Sequence, residues 1–134
     1  MTHKIIGKYI KELNFNIPNA KTFFLLSADI VNYKINIDIK SDQVKENIIE
    51  VLTTLNLNPV KEGFEKIDTK IVFSTIVELE DKKIKKEDME KIILIKVTSK
   101  TYPELRQIFI FMFENSGFKD VKINEIVDFE ELYN

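Results

Sequence analysis

No cysteine occurs in the 134 residues, so a disulfide framework, thiolate catalysis and sulfur-ligated metal sites are excluded together. Histidine is present only as His3, at a chain end where fraying leads one to expect an exposed, disordered side chain. With neither residue available elsewhere and no Gly-x-Ser-x-Gly turn, the usual acyl-transfer nucleophiles cannot be assembled. Glycine is equally sparse. Gly7, Gly63 and Gly117 stand far apart, which rules out a phosphate-cradling loop and a dinucleotide fingerprint. Arg106 is the only arginine, so a bidentate fork for phosphate or guanine is available once. Neither sign of charge dominates: 20 basic against 22 acidic residues leave a net charge of −2. Such a balance gives no field to steer a polyanion, and no nucleic-acid partner is expected. Long apolar runs are missing too. Lys4, Lys8, Lys11 and Glu12 interrupt the first segment, denying it the apolar stretch of a secretory signal, and no run approaches the ~18 residues that would cross a bilayer. The expectation is a soluble, cytoplasmic chain without membrane insertion.

What the chain holds in quantity is apolar and aromatic side chains: 44% hydrophobic, with ten phenylalanines and four tyrosines. That is enough for one core, in a single domain spanning residues 1–134. The carboxylate pairs Glu80-Asp81, Glu87-Asp88 and Glu130-Glu131 are mostly set among lysines, the pattern of a solvated surface rather than of acid–base catalysis or a hard-metal site. No enzyme activity, metal or cofactor is expected.

Strict alternation marks the strands. Val31, Tyr33, Ile35, Ile37 and Ile39 point one way, with Asn32, Lys34, Asn36 and Asp38 opposite. The sets Ile49 to Leu57 and Thr69 to Leu79 repeat the pattern across a connection containing Gly63, and Leu13, Phe15 and Ile17 make another strand that ends at Pro18-Asn19. These are expected to form a four-stranded antiparallel meander. Ala20 to Leu26 reads as a short apolar excursion, Glu80 to Asp88 as a charged link, and Met89 to Val97 as ambiguous between helix and strand. At Thr101 a helix start is predicted: Thr101 and Glu104 form a capping box with Pro103 in the first turn. That helix stops at Gly117. Its residues Leu105, Ile108, Phe109, Phe111, Met112 and Phe113 surround most of the cylinder, so it should be buried on nearly all sides. Asp128 is expected to cap a last short helix. Ile48 and Leu52, and likewise Val72 and Ile76, make the second face of two strands apolar as well, which asks for a helix on one face and another subunit on the other.

Three motifs in order resemble the SecB family of protein-export chaperones. They are KYIKELNFNIPNAKTFF (Lys8 to Phe24), YPELRQIFIFMFENSGF (Tyr102 to Phe118) and VDFEELY (Val127 to Tyr133). The resemblance carries Phe15, Pro18, Asn19, Ala20 and Phe24 of the first, Tyr102, Pro103 and Arg106 of the second, and Asp128, Phe129, Leu132 and Tyr133 of the third. It implies an α+β fold, a four-stranded antiparallel sheet packed against a long helix, assembled as a dimer of dimers. It also implies a holdase that binds unfolded preproteins in apolar grooves and hands them to the SecA motor through an acidic sheet face, without cofactor or covalent chemistry. Client contact is thereby expected of Phe15, Phe24, Tyr33, Ile35, Ile37, Phe129, Leu132 and Tyr133, motor contact of Glu12 and Phe73, and packing between the subunits of the homotetramer of Leu105, Ile108, Phe109 and Met112. Asn16 and Thr75 stand where the family usually has carboxylates. A SecB-like chaperone dedicated to one partner such as an antitoxin, and a small-ligand-binding domain with a cupped sheet, are the alternatives.

Overall fold

The computed structural model describes residues 3–29, 33–59, 67–80, 85–118 and 129. In chain order the elements are β1 (His3–Asn16), α1 (Ala20–Asp29), β2 (Tyr33–Lys45), β3 (Ile48–Pro59), β4 (Asp68–Leu79) and α2 (Lys86–Asn115). The four strands form one antiparallel sheet with α2 laid across one face, the expected class. Within it β2, β3 and β4 are a meander, but the strand order is β1-β4-β3-β2. Alternation identifies a strand without naming its neighbour. Here α1 carries the chain from the end of β1 to the far edge, so β1 joins beside β4 and the two edges are β1 and β2. The β2–β3 hairpin turns at Asn47, whose φ of 70 lies in the left-handed region that asparagine tolerates.

The apolar excursion is α1. Asn19 Oδ1 accepts hydrogen bonds from the Thr22 backbone N–H at 2.9 Å and from Thr22 Oγ1 at 3.1 Å, making Asn19, in the link after β1, the N-cap of α1. Thr22 and Leu26 turn inward from this helix, while Phe24 and Leu25 face out.

The expected start at Thr101 is corrected. The ambiguous segment is the first half of one 30-residue helix that begins at Lys86, with Glu87 and Asp88 in its first turn complementing the helix dipole. Thr101 lies inside it, its hydroxyl donating to the Val97 carbonyl at 3.0 Å, and Glu104 pairs with Lys8 Nζ of β1 at 2.7 Å instead of closing a capping box. A buried stripe at four-residue spacing explains the outcome. Ile93, Val97, Thr101, Leu105, Phe109 and Phe113 follow one face straight through Pro103, and burying that stripe outweighs the one hydrogen bond proline removes. Pro103 and Ser99, whose carbonyl loses that donor, are both exposed, where water serves it.

The C-terminus of α2 is where glycine was expected to stop it. Phe118 N–H donates to Phe113 O at 2.9 Å and Gly117 N–H to Glu114 O at 3.3 Å, a Schellman closure around Gly117 at φ 95. A β-carbon at Gly117 would lie 2.9 Å from the Phe23 ring, so both the backbone angle and the close approach of α1 require glycine. The Phe15, Phe113, Phe118 and Phe23 rings stack in sequence here, adjacent centroids 4.8 to 6.0 Å apart, and tie β1, α2 and α1 together at one end of the subunit.

Two further expectations change. His3 opens β1 opposite Leu79 and is half-buried, because β1 extends ten residues further toward the N-terminus than Leu13. The sheet of its own subunit does not enclose the helix on all sides: Phe111 on its outward face is 60% exposed in the single chain. Of the predicted last helix only Phe129 is described, helical and buried with its ring 5.6 Å from that of Tyr102; Asp128, Leu132, Tyr133 and Gly63 lie outside the described residues.

Candidate client and partner surfaces

β1 is wider of the helix than the other strands, and that decides what stays open. Ile10 pairs with Phe73 and Leu13 with Ile71, which places both on the helix side of the sheet, since directly paired residues share a face. Phe73 and Ile71 are buried beneath α2, but Ile10 and Leu13 remain 43% and 45% exposed because a single helix does not reach the edge. The Lys8–Glu104 ion pair and the Phe15–Phe113 edge-to-face contact bracket them. At the end where α1 follows β1, Phe24 is 69% exposed beside Leu25. On the outward side of α2, Ile108 and Phe111 with Glu104 and Gln107 line an open depression of about 370 Å³.

Among the residues expected to touch clients, Phe24 is the accessible one. Phe15, Tyr33, Ile35 and Ile37 are half-buried against the subunit's own core on the helix side, and Phe129, buried against Tyr102, is corrected to a core residue. Leu132 and Tyr133 fall outside the described residues. For packing between subunits, Leu105 and Phe109 are corrected as well: both lie on the inward stripe of α2, closed off by the sheet. Ile108 and Met112, half-buried on the flanks of that stripe, retain accessible surface, and Phe111, of which no such role was expected, is exposed. Ile10, Leu13 and Leu25, likewise not singled out in the sequence for contact, are exposed as well. Their apolar type was visible in the sequence, but their exposure follows only from the place of β1 at the edge and the roll of α1.

Motor contact was expected of Glu12 and Phe73. Phe73 is buried at 5% exposure and Thr75 at 0%, both facing α2, so Phe73 is corrected from partner contact to core. The positions of β4 on the opposite, outer face are Lys70, Val72, Ser74, Ile76 and Glu78, because side chains alternate along a strand. Glu12 is exposed and lies 3.5 Å from Lys70 Nζ. The outer face also gathers a polar cluster that no sequence spacing reveals, since its members come from three strands. Tyr9 of β1 and Ser74 of β4 both donate to Glu50 Oε2 of β3, the latter at 2.7 Å.

Those bonds hold the Glu50 carboxyl below its ordinary value, the Tyr9 hydroxyl contributing most and Ser74 next, against burial, which acts the other way. His3 is also lowered, by burial first and then by Lys100 and Lys96 of α2. Both shifts make the unfolded chain bind protons more readily than the folded one, so stability falls on acidification. His3 contributes as pH drops below its ordinary 6.5, and Glu50 below 4.5. Urea midpoints should therefore decline between pH 7.5 and 5.5, and His3→Gln should flatten that interval; an undiminished slope in the variant would remove His3 as the cause.

An antiparallel sheet with one long helix on a single face leaves apolar side chains open on its edge strand, crossover helix and outward helical face, a surface suited to a polypeptide-binding protein. Comparison with known proteins makes it particular. Residues 1–134 match the family model described as preprotein translocase subunit SecB. The chain is 40% identical over 131 residues to the putative protein-export protein SecB of Pelagibacter ubique, covering 98% of this chain and 94% of that one. It is 29% identical over 131 residues to protein-export protein SecB of Rhodospirillum rubrum, covering 96% and 78%. A solved SecB-like chaperone of Mycobacterium tuberculosis, in complex with an antitoxin peptide, superposes with a TM-score of 0.65 at 9% identity, over 93% of this chain and 91% of that one, a likeness of fold. The chain belongs to the SecB family, and its function is that of a preprotein-export chaperone. No helix among the described residues is long and apolar enough to cross a membrane.

Proposed function

We propose that this chaperone holds unfolded preproteins against the exposed apolar residues of α1 and β1, as a cytoplasmic homotetramer arranged as a dimer of dimers, and passes them to SecA. The observation that carries the reading is the run of large apolar side chains open to solvent on the helix side of one subunit: Ile10, Leu13, Phe24 and Leu25. A monomeric globule gains nothing by exposing them together, whereas a slack polypeptide buries them without directional demands, at ~25 cal/mol per Å². Binding of this kind needs no covalent step.

The remaining surfaces are divided between copies and motor. β1 presents a 14-residue edge carrying the exposed Ile6 and Tyr9, and Ile108, Phe111 and Met112 form an apolar stripe on the outside of α2. Both suit further copies of the chain. The outer sheet face with Glu12, exposed and only loosely paired to Lys70, suits the motor.

Light scattering of a chemically denatured client, diluted with and without the chaperone, tests the holding surface. Phe24→Ser combined with Leu25→Ser should weaken client binding roughly tenfold, the loss of about 1.4 kcal/mol from two partly buried apolar side chains. The mass in solution should stay unchanged. Full protection by the double variant would move the groove elsewhere, and protection of a single partner but of no other client would favour the dedicated-chaperone alternative.

A further inference from the structure

Between Lys70 and Glu78 the outer face of β4 holds only Val72, Ser74 and Ile76, so a partner lying on this strand meets no carboxylate of its own there. Glu50 supplies one from the neighbouring strand. Its backbone pairs with Ile76, but its carboxylate leans over the next outward position of β4. There Ser74 Oγ donates to Oε2 at 2.7 Å, and the Tyr9 hydroxyl reaches in from β1 to donate to the same oxygen. Ser74 is 0% exposed although it faces away from α2, because the side chains that meet above it close it off.

Three features distinguish this carboxylate from an ordinary surface charge. It is fixed, since donors from two other strands hold it and a partner need not immobilise a free side chain. It is charged: the same two bonds keep it below its ordinary value, and Lys11, whose field acts in the same direction, makes no ion pair with it among the described residues. It is also open, because both bonds go to Oε2 and Oε1 accepts none among the described residues. Glu12, by contrast, shares its charge with Lys70 at 3.5 Å. Asp42 of β2 pairs directly with Glu50 and is exposed, so a second carboxylate stands on the same face beside it. Half-buried Ile76 and Leu52 make an apolar floor on either side.

We propose that Glu50 is the anchor of the motor-contact face: its open oxygen receives a lysine or arginine of a basic, extended partner segment, whose methylene stem lies on Leu52 and Ile76. Tyr9 and Ser74 are positioning residues that hold the carboxylate over β4. The anchor rests on the reading of the outer sheet face as the side that meets SecA. A cationic segment fits because covering an ionised carboxylate without a partner is costly, whereas a charge-assisted hydrogen bond to a preformed acceptor is among the stronger polar contacts, and the stems of lysine and arginine lie readily along apolar surface.

Titration calorimetry of purified SecA against the full chain in its assembled form tests the anchor. Glu50→Gln keeps an oxygen for Tyr9 and Ser74 and removes the charge, so it should weaken SecA binding roughly tenfold or more and reduce its dependence on salt, with client protection and mass unchanged. Tyr9→Phe leaves the charge but loosens the carboxylate. It should weaken binding about threefold with the salt dependence retained, and the Glu50 carboxyl, followed by carbon NMR, should titrate closer to its ordinary 4.5; an unmoved titration would remove Tyr9 as a positioning residue. Thr54→Arg, which places a bulky cation elsewhere on the outer face of β3, checks the face itself. Binding lost in Thr54→Arg but undiminished in Glu50→Gln would keep the face and overturn the anchor. If neither variant weakens binding, or the unaltered chain does not bind SecA, the reading of the face falls and takes the anchor with it. A lower mass for Glu50→Gln would give the face to a second copy of the chain and overturn the proposal as well.

Discussion

Phe109→Ala is expected to cost about 3–5 kcal/mol of folding stability, the usual toll for emptying a core position of a phenylalanine ring. Phe109 is 0% exposed and stands edge-on to Phe113, their centroids 5.1 Å apart, on the stripe that binds α2 to the sheet. Neighbours on a rigid sheet cannot close over the vacancy, so lost transfer energy and cavity cost add. A urea titration followed by circular dichroism should show a midpoint far below that of the unaltered chain with the slope little changed. A loss under 1 kcal/mol would mean that the inward stripe of α2 is not what holds the helix down.

Two residues along the same helix, Phe111→Asp should do the opposite. This ring is 60% exposed and shares its depression with Ile108, so a carboxylate there meets water in the single subunit and the fold pays little. In the proposed tetramer the same carboxylate would be buried against another copy without a partner, which strongly disfavours assembly. Sedimentation should show species lighter than those of the unaltered chain, with the far-ultraviolet dichroism preserved. An unchanged mass would place the contact between copies off the outer stripe of α2. Read side by side, the two variants separate fold from assembly on one helix.

That Phe109 and Phe111 have opposite roles was not legible in the stretch IFIFMFEN, where apolar residues crowd every direction. Once α2 is known to begin at Lys86, the four-residue stripe from Ile93 fixes the phase and turns Phe109 in and Phe111 out. The same difficulty attends Phe73. Its strand is apolar on both faces, so alternation alone does not say which face is inward, and the pairing of Phe73 with Thr53 and Ile10 under α2 settles it. Glu50, Tyr9 and Ser74 converge across three strands, and strand neighbourhood is the one property of a sheet that no local pattern encodes.

By itself the sequence determined the kind of molecule. Absent cysteine and clustered glycine excluded whole chemistries, alternation placed β2, β3 and β4, Gly117 marked the end of α2, and three ordered motifs pointed to the family. These are local properties, written in composition and in periods of two or a few residues. Tertiary structure alone decided that β1 lies beside β4, that Pro103 sits within one long helix, and that Leu105 and Phe109 serve the subunit's own core. Each depends on side chains far apart in the chain competing for the same buried volume, and burial of a shared surface outweighs the weaker local preferences for caps, breaks and neighbours.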